Sequence, residues 1–217
     1  MNDIVVTDIL ERLRAETREA HEAIERDLAW ESRVTTRDGY RALLARFWGL
    51  HVVLEPALAD VLDDPTFFDP RRRLGHLAAD LRLLGLDDAA IEALPRASMI
   101  LPSNRDQAFG ALYVLEGSTL GGQVIAKQIG RQLGLSPDHG CRYYAAHGRE
   151  TGPMWKRFRQ RLTEEARAGD PDVIVASATR TFDVMRLWLC AAPLPLSPVP
   201  FPDGEGRGPV AKGSQRG

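Results

Sequence analysis

The chain has 217 residues, enough for one large domain or two small ones with a substantial core, and no internal repeat divides it. Its 28 Lys and Arg against 30 Asp and Glu give a formal net charge of −2 with the signs interspersed, which argues against nucleic acid or an acidic membrane as a general partner. Cys141 and Cys190 match neither a disulfide framework nor a metal spacing, and there is no secretory leader and no run of about 18 apolar residues, so a cytoplasmic protein with no membrane span is expected.

Thr7 is placed to cap a first helix running to about Trp30, with Leu10, Leu13, Ala20, Ile24 and Leu28 as its apolar stripe. His21 lies on that stripe, so its imidazole is expected to point inward, as a satisfied core residue or as a ligand. Glu25, one turn on, could hold the imidazole N–H that faces away from a metal. Arg14 looks in nearly the same direction as His21 and could pair with an anionic group. Thr36 starts a second helix through Tyr40, Leu44, Trp48, Leu54 and Leu58, which Pro56 is expected to kink or end; His51 on it reads as packing. Asp69 and Pro70 start a helix to about Leu84, closed by Gly85, with Arg71, Arg72 and Arg73 as a solvated face. A short helix over Asp87 to Leu94 and a connector from Pro95 to Pro102 follow, and Ser103 with Asp106 resembles a capping box for the next helix.

That helix, from Ala108 to Leu133, is the most distinctive stretch. Phe109, Leu112, Leu115, Leu120, Val124, Ile125 and Ile129 recur at spacings that suit a buried helical face. Yet Gly110, Gly117, Gly121 and Gly122 interrupt it, at about 1 kcal/mol each relative to alanine. Gly110, Gly117 and Gly121 fall within roughly 20° of one direction and leave a groove free of side chains, which would admit either a closely packed helix or a broad flat ligand. Glycine beside Ser118 also invites a kink. A loop holding Tyr143 and Tyr144 comes next, where no metal spacing links His139 and His147. A helix from Thr151 carries Met154, Trp155, Phe158 and Leu162 inward, and a last helix from Asp170 and Pro171 runs to about Ala192. The expectation is an all-α fold, a single irregular helical bundle of about seven or eight helices over residues 1–192, with residues 193–217 a Pro/Gly-rich flexible tail.

An inward histidine on the first helix and a glycine groove on a later one are the two halves of a sandwich for a planar iron porphyrin. Leu13 and Arg14 with Thr17, His21 and Glu25 resemble the proximal helix of the haem oxygenase family. Gly117-Ser118-Thr119-Leu120-Gly121-Gly122 resembles its distal-helix signature. Tyr40 through Leu58, and Thr151-Gly152 with Met154, Trp155 and Phe158, are similar to bacterial members, especially those associated with bacteriophytochromes. The resemblance covers most of residues 7–192 and implies haem b as both cofactor and substrate, opened by O2 and external electrons to biliverdin, carbon monoxide and ferrous iron.

It further implies His21 as the iron ligand and Gly117, Ser118, Gly121 and Gly122 as the distal wall, with Arg14 and Lys156 toward the propionates and Arg159 and Tyr113 as lesser candidates. Ser118 stands where the animal enzymes carry an aspartate, which leaves the proton route to that serine, to backbone carbonyls and water, or to a more distant group. No dinucleotide motif is present, so electrons are expected from a separate ferredoxin or flavoprotein reductase, and a bacteriophytochrome is a candidate recipient of the product. A haem carrier or sensor that uses the same histidine without degrading the ring is the alternative.

Overall fold

Asp8 opens the first helix of the computed structural model, which describes residues 8–192 together with Leu194 and Leu196; the Thr7 cap and the rest of the expected tail lie outside the described residues. The Asp8 carboxylate accepts the Leu10 amide at 3.1 Å and starts α1 (Ile9–Glu16). The helix does not run unbroken to Trp30. At Thr17 the hydroxyl donates back to the Leu13 carbonyl at 2.6 Å and the backbone shifts to φ −96°, ψ 0°, so α2 (Arg18–Leu28) begins anew. Ala29, at φ 43°, separates α2 from the single turn α3 (Trp30–Arg33).

The centre of the core is α4 (Arg37–Leu62), capped by Thr36, whose Oγ1 accepts the Gly39 amide at 3.1 Å. Pro56 sits inside α4 and does not end it. This helix is long and apolar enough to cross a membrane, with mean hydropathy 1.3, but 67% of that window is buried within the protein, as in the central helix of a packed core.

After α5 (Pro65–Phe68) the chain makes a 3₁₀ turn over Asp69–Arg71, becomes extended at Arg72 (φ −64°, ψ 136°), and only then enters α6 (Leu74–Leu83). That break overturns the reading of the three arginines as one solvated face. Arg72 stays outside on Asp69 at 2.7 Å, while Arg71 and Arg73 turn inward and are buried. Gly85, at φ 93°, closes this segment as expected. The connector beyond α7 (Asp88–Glu92) leads to α8 (Arg105–Leu133), whose cap is Asn104 rather than Ser103. Asn104 accepts the Gln107 amide at 2.9 Å, and Gln107 reaches back to the Ser103 amide at 3.0 Å. Asp106 instead accepts the Asp170 amide at 3.1 Å.

Tyr143 and Tyr144 lie on a short helix, α9 (Arg142–Ala145), not in a loop; buried Asp80 accepts the Arg142 and Tyr143 amides at 3.0 and 2.9 Å and holds it in place. The last two helices, α10 (Thr151–Ala168) and α11 (Pro171–Leu189), begin where expected, α10 at Thr151 without a capping side chain and α11 behind the Asp170 cap. Among the described residues there is no strand, and seven helices have eight residues or more, in accord with the expected all-α class.

α8 is helical without a break, and its two halves serve different ends. At Gly110 it lies on α11 so closely that an added Cβ would clash with the Ile174 carbonyl oxygen and stand 2.7 Å from Ser177 Cβ. At Gly121 an added Cβ would meet nothing within 4 Å. Close packing therefore explains the first glycine, and open space lies over the other. Gly110→Ala should cost roughly 1–3 kcal/mol in the denaturant midpoint, because the extra methyl overpacks a rigid contact. Gly121→Ala should leave stability unchanged or raise it by up to about 1 kcal/mol through helix propensity.

Glu165 on α10 ties to Arg105 at the start of α8, with Oε1 2.6 Å from Nη2. The hydrogen bond from Arg105 holds this carboxyl below its ordinary value, so the bridge contributes above the unfolded-state value and is lost as pH falls through the folded one. Glu165→Gln should cost about 0.5–1 kcal/mol at neutral pH, with the difference from the parent shrinking in unfolding curves as pH falls below the ordinary glutamate value of about 4.3.

Candidate functional site

Between α2 and the second half of α8 opens a cleft of about 830 Å³, near the top of the roughly 300–1,000 Å³ range of small-molecule sites. His21 borders it from one side and Gly117, Ser118, Gly121 and Gly122 from the other, so the two halves anticipated from the sequence meet across a single space. An added Cβ at Gly117 would reach only Trp155 at 3.9 Å, and at Gly121 it would project into the opening. Gly122 differs: its Cβ position is 3.0 Å from the Tyr144 carbonyl oxygen, so this glycine lets α9 approach from behind.

The His21 side chain is 53% exposed, a departure from the expected burial: it points into the cleft rather than into packed core, with the Phe182 ring centroid 5.4 Å away. Its Nε2 lies 3.3 Å from Glu25 Oε1, so the carboxylate one turn on does address the imidazole. Leu120 and Val124, expected on a buried face, are 44% and 62% exposed and line the same opening. Tyr113 also lines it; burial pushes its phenol up, against the hydrogen bond with Thr17 and the charge of Arg14. Arg14 stands at the cleft as expected. Arg18 does too and was missed, although three residues before His21 is the same helical face. Lys156 is exposed on α10 and is not among the cleft residues, and Arg159 is exposed beside the Trp155 ring at 5.9 Å.

The inner end of the cleft is polar, which the sequence reading did not foresee. His51, taken as packing, is indeed buried with both ring nitrogens partnered: Nδ1 lies 2.8 Å from Glu55 Oε1 and Nε2 lies 3.2 Å from the Tyr143 hydroxyl. It also lines the cleft. Glu55 Oε1 further accepts the Arg73 and Leu74 amides at 2.7 and 2.9 Å. Burial pushes this carboxyl up, but His51 and the two amides outweigh it and hold it below the usual range. Arg73 donates to the Tyr143 carbonyl at 2.8 Å, and Arg71 stacks on Phe67 at 4.0 Å and donates to the Phe67 carbonyl. Glu116, on α8 beside the glycine stretch, completes the wall.

The family model described as Heme oxygenase matches residues 7–190. The chain belongs to the haem oxygenase family. A heme oxygenase of Xanthomonas campestris pv. campestris (strain 8004) is 36% identical over 142 residues, which covers 61% of this chain and 79% of that relative. Two solved structures share the fold. The NO- and CO-bound heme oxygenase from Neisseria meningitidis has a TM-score of 0.70 at 21% identity, covering 85% of this chain and 91% of that one. Heme oxygenase 2 of Chlamydomonas reinhardtii without heme has a TM-score of 0.69 at 16% identity, covering 88% and 100%. The function is accordingly that of a haem-degrading oxygenase.

The polar end of this haem oxygenase is held by few contacts, each open to test. Tyr143→Phe would leave His51 Nε2 buried without a partner and should cost about 1–3 kcal/mol in chemical denaturation, with a shift in the His51 ring-nitrogen resonance.

Proposed function

We propose that the cleft holds haem with His21 as the iron ligand on the α2 side and the Gly117 to Gly122 stretch of α8 as the opposite wall. The observation that carries this reading is the shared cleft itself: an imidazole on one wall, and on the other two glycines whose missing Cβ atoms would occupy the space between. Haem bound there supplies an iron that activates O2 and a macrocycle that is itself the substrate.

The chain's own residues orient, exclude and hold. Glu25 addresses the imidazole at one ring nitrogen, Nε2, and so can fix the ring's orientation and leave the other nitrogen for a metal. Arg14 and Arg18 place positive charge where the carboxylates of an amphiphilic ring would emerge. Phe47, Phe182 and Met185 supply an apolar lining that limits water at the ring plane. Lys156 can join the cationic edge only by reaching over from the outer surface of α10. The Ser118 hydroxyl donates to the Leu115 carbonyl at 2.7 Å, so it presents lone pairs to the cleft and is a poor source of protons there. The finer assignments belong to the same proposal: biliverdin, carbon monoxide and ferrous iron as products, electrons from a separate ferredoxin or flavoprotein reductase, a cytoplasmic setting, and a bacteriophytochrome as recipient of the bilin.

The test is spectroscopic. Protein mixed with hemin should gain a sharp Soret band, which reductant and O2 should replace with the broad red absorption of biliverdin. A stable oxygenated complex would instead mark a carrier. His21→Ala should lose the histidine-ligated spectrum and recover it when imidazole is added, which separates loss of a ligand from loss of the fold.

A further inference from the structure

Glu116 is a carboxylate that the reading above leaves without work. It is 3% exposed, lines the inner end of the cleft, and sits one residue before the glycine stretch of α8. Among the described residues no hydrogen bond reaches its Oε2, and its nearest ion-pair partner, Arg71 Nε, is 3.7 Å away. A buried acceptor left this way is costly unless something else satisfies it.

Each neighbouring cation has one donor committed elsewhere and another without a hydrogen-bond partner, Arg71 Nε and Arg73 Nη2, and neither of these closes a hydrogen bond on Glu116 Oε2. Arg71 is stacked on Phe67 and donates to the Phe67 carbonyl, and Arg73 donates to the Tyr143 carbonyl. Beyond them stand Glu55 and His51 of α4, which are closed on each other, and Arg157 of α10, which acts on Arg71 rather than on Glu116. Burial pushes the Glu116 carboxyl up, against the charges of Arg71 and Arg73. A proton on the carboxyl removes a buried charge that no hydrogen bond to Oε2 compensates, and turns an acceptor-only group into a donor facing the cleft.

We propose that Glu116 carries a dissociable proton at the inner end of the cleft and is the group that delivers protons to the haem-degrading reaction, the task for which Ser118 is badly placed. The transfer is a plain exchange: the carboxyl O–H releases its proton into the cleft, leaving a carboxylate beside Arg71 and Arg73, and regains one from solvent. The inference rests on the haem reading of the cleft, and its test separates the two.

In haem-free protein, infrared difference spectra over a pH titration should show a protonated-carboxyl C=O band that is lost in Glu116→Gln and whose midpoint lies above the ordinary glutamate value of about 4.3. With haem, Glu116→Gln should keep the Soret band and the hemin affinity of the parent. It should form bilin about a hundredfold more slowly, within the general-acid range, and lose the alkaline limb of the parent's pH profile, with partial recovery in Glu116→Asp. A parent that gains no Soret band would sink the haem reading and the proposal together. A parent that turns over haem while Glu116→Gln matches its rate and pH profile, or a band midpoint at or below 4.3, would overturn the role of Glu116 alone.

Discussion

One continuous helix has to satisfy two opposed demands, and the rest of the molecule is arranged around that. At Gly110 the backbone of α8 must lie against α11 closer than any side chain permits, and two turns later, at Gly117 and Gly121, it must present bare backbone to open space. The glycines weaken the helix by about 1 kcal/mol each, so its integrity comes from tertiary packing: buried Phe109, Leu112 and Ile129 on its own faces, and the seat on α11. Because α11 grips the first half, the second half is held at a distance from α2, and the cleft follows from that offset.

The cleft has a direction built into it. Arg14 and Arg18 stand on the α1 and α2 side, aromatic and aliphatic groups fill the middle, and a balanced set of two arginines, two carboxylates, a histidine and a tyrosine closes the inner end. Under the proposed reading, a flat ring with carboxylates along one edge is accepted in one orientation, since carrying those carboxylates to the buried inner end would strip their hydration and set them beside the Glu55 carboxylate. Specificity of placement thus comes from where charge is absent as much as from where it is present.

Much of this was legible in the chain, and the failures share a cause. Periodicity located α8, α10 and α11 well, because each buries one face, and the Asp170 cap marked the start of α11, whereas α8 takes its cap one residue later than Ser103 suggested and α10 starts without a capping side chain. The meeting of His21 with the glycine stretch was readable as a pair of patterns. Leu120 and Val124 misled because apolar spacing does not distinguish a face packed on protein from a face turned to a ligand space. The breaks at Thr17 and Arg72 depend on a hydroxyl bonding backwards and on guanidinium groups drawn toward carbonyls and carboxylates distant in sequence, such as Tyr143 and Glu116. The same long-range pairing hid the inner polar wall: Arg71 and Arg73 are indistinguishable from surface cations until the fold supplies what they touch.

Asp80 never meets the cleft, yet it sets one of its dimensions. Its carboxylate pins the first amides of α9, the carbonyl of Tyr144 on α9 abuts the backbone at Gly122, and Gly122 belongs to the wall opposite His21. The chain of contacts acts as a shim wedged behind α8, so the gauge of the slot is calibrated from the far side of the molecule, by a group that has no acquaintance with whatever slides into it.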